Sequence, residues 1–167
     1  MSRRMSCSMT VDAVCNRTKT VTRRHADTWA TLKPGDGLTL VEGMGLAKGE
    51  KQVILAEVEI IDVRVEQLGL LYQWDTGLGW HVGTDYGYAE MAAEGLPDME
   101  PYTFARWWAL GHGHRDAWEA GCDRTIECRR IEWRYLDRSH VCPNCGCSFS
   151  LPLGRTCDDH GPVEVWR

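Results

Sequence analysis

One stretch near the N-terminus combines cations and hydroxyls at a density that suits binding or catalysis. Residues 17–24, RTKTVTRR, carry four cations and three hydroxyls, whereas the whole chain has a formal net charge of −5. Like charges packed this closely repel one another, so we expect an anionic or polar group to meet them. The alternative is a solvated loop whose charges have no ligand.

Two side chains of this stretch are candidates for a nucleophile and its base. A lysine that is desolvated beside other cations gives up its proton more readily, and arginines flank Lys19 closely in sequence. The hydroxyl of Thr22, three residues further on, is a feasible nucleophile once a base takes its proton. Glu94 could pass that proton to a leaving amine. The predicted catalytic residues are therefore Lys19, Thr22 and Glu94.

The same stretch could instead bind a ligand without turnover. Arginines would then contact phosphate, Lys19 would contribute charge only, and flat aromatic side chains beside the cleft would stack on bases. The residues predicted for this surface are Arg17, Arg23, Arg24, Trp29 and Lys33. We expect recognition of a nucleic acid or modified nucleotide through a basic cleft, with RNA, single-stranded DNA or a modified nucleoside as partner. The alternative function is hydrolysis, and an interaction with another protein has no specific support in the sequence.

The C-terminal segment has a pattern typical of a structural zinc site. Two cysteines, Cys142 and Cys145, stand at knuckle spacing, and Cys157 and His160 supply a second pair at the same spacing. Three thiolates and one imidazole suit tetrahedral zinc and leave no open position for catalysis. About 25 residues are too few to fold without such a metal. Cys147 could replace one ligand, and the alternative is a disordered tail with reduced thiols.

Length and composition limit the class of protein. A chain of 167 residues suits one domain with a small appendage, which we place at residues 1–138 and 139–167. We find no apolar run of transmembrane length, and no apolar segment follows the first charged residues as in a signal peptide. A cytoplasmic location is therefore expected, where the eight cysteines would not form a disulfide framework.

Periodicity predicts the elements that must position these groups. Strands are expected at 5–9, 37–41, 51–65 with a bend near Ile60–Asp62, and 125–136. Helices are expected after Thr10, at 89–93 and from Pro101, while 69–88 is a loop or hairpin. We interpret Phe104, Trp107 and Trp108 as an apolar core stripe, the alternative being a platform for stacking. We interpret His112 and His114 as part of a surface loop rather than as a metal-binding pair. This order predicts an α+β domain on a curved sheet.

Three segments also carry a family resemblance. Residues 18–24 (TKTVTRR), 32–36 (LKPGD) and 94–99 (EGLPDM), followed by Phe104, resemble the ASCH domain. This PUA-like superfamily is associated with nucleic acids and often occurs in phages and bacteria. Its Gly-x-Lys-Thr-x-x-x-Arg signature is nearly present, with Arg17 in place of the usual glycine. The resemblance covers roughly residues 5–136 and does not extend to the tail, which resembles a zinc ribbon.

The resemblance implies a fold and a possible activity. The fold would be a PUA-like, partly open β-barrel with helices lining a cleft. Some bacterial ASCH proteins hydrolyse the amide of N-acetylated cytidine, and in them a Lys-Thr-x-Thr-x-Arg segment and a later glutamate do the chemistry. Residues 19–24 match that segment, which would assign the lysine and nucleophile roles to Lys19 and Thr22. Glu94 would be the glutamate, with Glu90 as the alternative.

Overall fold

The computed structural model describes residues 3–43, 52–136, 139–141 and 148–150. The predicted zinc ligands Cys142, Cys145, Cys157 and His160, together with Cys147, lie outside the described residues. The strands are β1 Arg3–Ser6, β2 Val21–His25, β3 Gly37–Val41, β4 Ile54–Gln67, β5 Tyr72–Asp75, β6 Trp80–Gly83, β7 Glu127–Tyr135, β8 Ser139–Val141 and β9 Ser148–Ser150. The helices are α1 Val11–Cys15, α2 Asp85–Ala93, α3 Pro101–Gly111 and α4 Arg115–Glu119. Short 3₁₀ turns lie at Leu68–Leu70 and Asp123–Thr125.

The described strands confirm the predicted α+β class. Five of them form one sheet in the order β1-β3-β4-β7-β2, in which only the β1–β3 pair is parallel. The pairs β5–β6 and β8–β9 form separate two-stranded ribbons. The register of β4 against β7 shifts between Ile60 and Asp62, which is a β-bulge at the predicted bend. None of the helices in the described residues has the length and apolarity that crossing a membrane requires.

Two segments for which a loop was considered, residues 17–24 and 69–88, contain regular secondary structure. The second half of the basic stretch is β2, an edge strand paired with β7. Residues 69–88 contain the β5–β6 hairpin, and α2 begins at Asp85, earlier than predicted. The early start has a local cause: the hydroxyl of Thr84 accepts a hydrogen bond from the Gly87 amide and caps the helix.

Helix α3 begins at Pro101, as predicted, but one residue of the predicted core stripe is not buried. Its buried residues recur at helical spacing and are Pro101, Phe104, Ala105, Trp108 and Ala109. Trp107 lies outside that spacing, and 44% of it is exposed. The prediction that Trp107 belongs to the core is therefore wrong, because the stripe centres on the row that begins at Pro101.

Alternation along β7 divides the interior into two apolar clusters. Ile131 and Trp133 pack with Leu38, Leu40 and residues of β1 and β4 on one face of the sheet. Cys128 packs on the other face, in a cluster that α2 and α3 complete. Successive strand residues point to opposite faces, so Arg130 shares the face of Cys128.

Three arginines stand side by side on that second face. Arg23 on β2 pairs in register with Arg130 on β7, which pairs with Arg64 on β4. Like charges directly opposite one another destabilise a sheet unless they are neutralised. Oxygen Oε2 of Glu90, on α2, accepts from Arg23 Nη2 at 2.5 Å and from Arg130 Nε at 2.7 Å. Glu66 Oε1 lies 2.6 Å from Arg23 Nη2, so this arginine row is held by carboxylates from a helix and a neighbouring strand.

Substitution of Glu90 tests whether this neutralisation holds α2 on the sheet. Glu90→Gln keeps the side-chain shape but leaves Arg23 and Arg130 buried without their shared carboxylate. We expect the free energy of unfolding to fall by about 3–5 kcal/mol in chemical denaturation. The matched control is Glu119→Gln, which breaks the exposed 3.3 Å pair with Arg115 and should cost no more than about 0.5 kcal/mol. Equal effects of the two substitutions would contradict the structural role.

The destabilisation caused by Glu90→Gln should depend on pH. Burial alone would raise the pKa of Glu90, but hydrogen bonds from Arg130 and the charge of Arg23 hold that pKa below its ordinary value. A carboxyl of this kind stabilises the fold above its unfolded-state pKa, and the stabilisation is lost as pH falls through the folded-state pKa. The stability difference between wild type and Glu90→Gln should therefore shrink below about pH 4. A difference that stays constant on acidification would assign the effect to packing instead.

Candidate functional site

A cavity opens where β2, the end of α2 and the α3 helix meet. Its volume is about 370 Å³, within the range of roughly 300–1,000 Å³ that small-molecule sites occupy. The predicted catalytic residues Lys19, Thr22 and Glu94 all line it. Residues that are 72 positions apart in the sequence, Thr22 and Glu94, thus come to one place.

Lys19 and Glu94 form the polar end of the cavity. Lys19 Nζ donates to Glu94 Oε2 at 2.8 Å and to the Glu94 backbone carbonyl at 2.7 Å. Both side chains are 4% exposed. Tyr135 donates its hydroxyl to the Lys19 carbonyl at 2.6 Å, which fixes the backbone that carries the lysine. The contact therefore places a buried pair of an ammonium and a carboxylate at the wall of the cavity.

Thr22 offers a hydroxyl to the same cavity. It is 5% exposed, and within the described part of the chain its hydroxyl makes no hydrogen bond to Lys19, whose ammonium donates to Glu94. Cys7 also lines the cavity, but burial raises the pKa of its thiol, although Lys19 and Arg24 act in the opposite direction. Burial thus favours the protonated, less reactive form of this thiol, and Thr22 stays the nucleophile that the sequence predicts.

The structure separates the two glutamates that the sequence left as alternatives. Both carboxylate oxygens of Glu90 accept hydrogen bonds from Arg130, and one of them also accepts from Arg23. Glu90 does not line the cavity, whereas Glu94 does. Of the two, Glu94 therefore lies at the cavity, and Glu90 belongs to the arginine row.

Arg23 has a different environment from the one expected of a phosphate ligand. Its side chain is fully buried against three carboxylates, those of Glu66, Glu90 and Glu94. Burial alone would lower the pKa of its guanidinium, but these carboxylates raise it above its ordinary value. The anionic groups that meet Arg23 are the protein's own, so we revise its predicted role from phosphate contact to support of the site.

The structure places the other predicted binding residues as follows. Arg17 has a φ of 59°, in the left-handed region that suits glycine, and its guanidinium lies 5.7 Å from the centre of the Tyr135 ring. Trp29 packs against the first apolar cluster, and Lys33 is exposed on a turn. None of these three lines the cavity, whereas Arg24 does. The predicted surface is therefore distributed over several places, and only its β2 part borders the cavity.

Sequence reasoning missed two aromatic residues of the site. Trp107 lines the cavity with its exposed ring, and its position off the buried stripe of α3 is the signal that could have found it. His112 lies in the predicted loop, but it also lines the cavity and stacks on Trp108 at 4.1 Å, which the sequence did not indicate. Burial lowers the pKa of His112, and the nearby charge of Arg24 adds to this. An uncharged imidazole at neutral pH follows.

The described residues offer no metal site. Within them, no group of three or more His, Cys, Asp or Glu side chains is placed to hold an ion. His112 and His114 instead stack against Trp108. The zinc prediction therefore rests on the sequence of the tail alone.

Comparison with known proteins adds little. No family model matches the chain, and no curated protein matches it. A DUF984 protein from Enterococcus faecalis V583 aligns at 14% identity over 84% of each chain, with a TM-score of 0.44. An ASCH domain from Lactobacillus crispatus JV V101 aligns at 15% identity over 80% of this chain and 79% of that one, with a TM-score of 0.41. At these scores the likenesses carry no further argument, and the ASCH resemblance stays an interpretation of the sequence.

Gly95, just after the end of α2, lets the chain approach Ala13 and Lys19 closely, and its substitution tests that approach. Gly95 has a φ of +77°, and an added Cβ would lie 2.5 Å from the Ala13 Cβ and 3.2 Å from the Lys19 Cβ. Gly79 has nearly the same φ, +76°, but open space around it. Gly79→Ala should therefore cost about 1–2 kcal/mol from backbone strain alone. Gly95→Ala should cost clearly more in thermal or chemical unfolding, and equal losses would show that the close approach is unimportant.

Proposed function

We propose that this chain recognises a single nucleobase or modified nucleoside in the cavity. The observation that carries the proposal is the convergence of a polar end, Lys19 and Glu94, with an exposed aromatic ring, Trp107, around one cavity. Donors and acceptors can read the edge of a base while an aromatic ring stacks on its face. Thr22 adds a hydroxyl that can donate or accept.

The charge distribution favours a single base over a phosphate backbone. Lys19 and Arg23 both contact Glu94, and Arg23 and Arg130 share Glu90. A protein that binds a strand by its phosphates needs cations that are free to displace counterions. RNA or single-stranded DNA would therefore reach this cavity by presenting one unstacked base.

A second candidate function is removal of an acyl group from an N-acylated cytidine-type nucleoside. The direct contact between Lys19 and Glu94, beside Thr22, favours it. Glu94 would take a proton from the Lys19 ammonium, and the resulting amine would take the proton of the Thr22 hydroxyl. The Thr22 oxygen would attack the acyl carbon, and Glu94 would protonate the departing amine nitrogen. Water would then hydrolyse the acyl-threonine ester and release the acid.

Substitution of Thr22 separates recognition from turnover. Thr22→Val removes the hydroxyl at nearly constant volume and leaves the Lys19–Glu94 pair intact. If the chain is a hydrolase, the cytidine formed from N-acetylcytidine, measured by mass spectrometry, should fall by about 10²-fold or more. The control Thr20→Val makes the same change two residues away, outside the cavity, and should retain turnover.

Calorimetric titration with the same nucleosides completes the test. Binding without turnover by the wild type would support recognition and exclude the hydrolase. Loss of affinity in Lys19→Gln would assign that binding to the cavity. Neither binding nor turnover across the common nucleosides and their N-acetylated forms would contradict both functions.

The C-terminal zinc ribbon is a separate proposal. Cys142, Cys145, Cys157 and His160 would hold one structural zinc ion. We expect the full chain to contain about one zinc per molecule by elemental mass spectrometry, and Cys142→Ser to lower that content. Cys122→Ser, which changes an exposed free thiol, is the control that should leave zinc unchanged. A zinc-free wild type purified without chelator would refute the site.

A further inference from the structure

Arg24 differs from the other cations that line the cavity. Lys19 and Arg23 contact carboxylates, whereas no carboxylate in the described part of the chain forms an ion pair with Arg24. Arg24 Nη2 donates to the Ser6 carbonyl at 2.5 Å, which anchors one side of the guanidinium. Its Nε is buried and has no hydrogen-bond partner among these residues. Arg24 thus brings to the cavity wall a positive charge that no described carboxylate neutralises.

A neighbouring arginine uses its guanidinium donors differently. Arg129 is the register partner of Arg24 on the adjacent strand. It donates from both Nε and Nη2 to the Ala26 carbonyl, at 3.0 and 2.6 Å, and does not line the cavity. The guanidinium of Arg24 instead borders the cavity and donates to the Ser6 carbonyl alone among the described residues. The contrast therefore points to a ligand at Arg24.

The chemistry of that ligand follows from the charge. Arg24 lacks the counter-ion that each other lining cation has, and a guanidinium binds oxyanions such as phosphate through paired N–H groups. Arg24 also helps to lower the pKa of His112, after burial as the main cause, so its charge acts on a second residue that lines the cavity. An anion would compensate that charge, whereas an uncharged nucleoside would not.

A flat ring faces the same space. Trp107 lies off the core, is 44% exposed and lines the cavity together with Arg24. An indole placed in this way can stack on any base. A ligand that satisfies both residues carries a planar ring and an anionic group within the span of a cavity of about 370 Å³.

We infer that the ligand is a nucleoside that bears a phosphate, with the base stacked on Trp107 and the phosphate bound by Arg24. The inference rests on the proposed recognition of a base in this cavity and narrows it to a charged form. A free nucleoside monophosphate and a terminal nucleotide of a strand share this chemistry.

The test compares nucleosides with their 5′-monophosphates by calorimetric titration. The probes are cytidine, N-acetylcytidine, uridine, adenosine and guanosine, each with its 5′-monophosphate. At least one monophosphate should bind about tenfold or more tightly than its nucleoside. Arg24→Gln should remove that preference, so that each nucleoside and its monophosphate bind with similar affinity. Arg129→Gln removes the same charge one strand away and should keep the preference.

Two further variants test the same ligand if Arg24→Gln fails to fold. Arg24→Lys retains the charge and should retain part of the phosphate preference. Trp107→Ala should weaken nucleoside and monophosphate alike, by about tenfold. Its control is Trp80→Ala, which removes an indole that is 57% exposed and lies outside the cavity.

The outcomes distinguish the inference from the function on which it rests. Equal binding of nucleoside and monophosphate, or a preference that survives in Arg24→Gln, would overturn the phosphate site and leave base recognition standing. No binding of either form would overturn both. A 5′-phosphorylated dinucleotide that binds as tightly as the preferred monophosphate would identify a strand end as the source, and weaker binding would identify the free nucleotide.

Discussion

The neutralisation of the arginine row is the constraint on which this structure depends. Three arginines at one level of three neighbouring strands repel one another, and Arg23 is wholly buried. Taking such charges out of water is expensive unless carboxylates and hydrogen bonds compensate closely. Glu90 compensates from a helix and Glu66 from a strand, so α2 has to lie over this face of the sheet. Ion pairs thereby hold α2 against the sheet at this point, as apolar packing holds other elements of the fold.

The position of the site follows from this pairing. Since Glu90 fixes α2 against the arginine row, the last turn of that helix delivers Glu94 to Lys19. Glu94 also contacts Arg23, so the cavity and the buried network share a residue. A short segment of β2 serves both purposes: Arg23 supports the interior and Arg24 borders the space that a ligand can enter.

Local patterns in the sequence predicted much of the framework. The bend in β4, the proline at the start of α3 and the Lys19, Thr22 and Glu94 set all come from short-range spacing or family resemblance. The partners of Arg23 were not foreseeable in this way, because they lie 43–71 residues further along the chain. The basic stretch was correctly expected to meet anionic groups, but for Arg23 those groups belong to the protein. The exposure of Trp107 depends on which row of α3 is buried, which only packing decides.

The bulge in β4 changes which residues of that strand point inwards. Before it, Val58 and Ile60 face Tyr135 and Trp133 on the apolar side of the sheet. Beyond it, Val63 takes that side opposite Ile131, and the even-numbered Arg64 and Glu66 face the charged side. Because of one inserted residue, the apolar side receives even-numbered residues before the bulge and odd-numbered residues after it. The same strand thus contributes side chains to an apolar and to a charged environment. Insertions or deletions within β4 would exchange those environments, which makes its length as constrained as its composition.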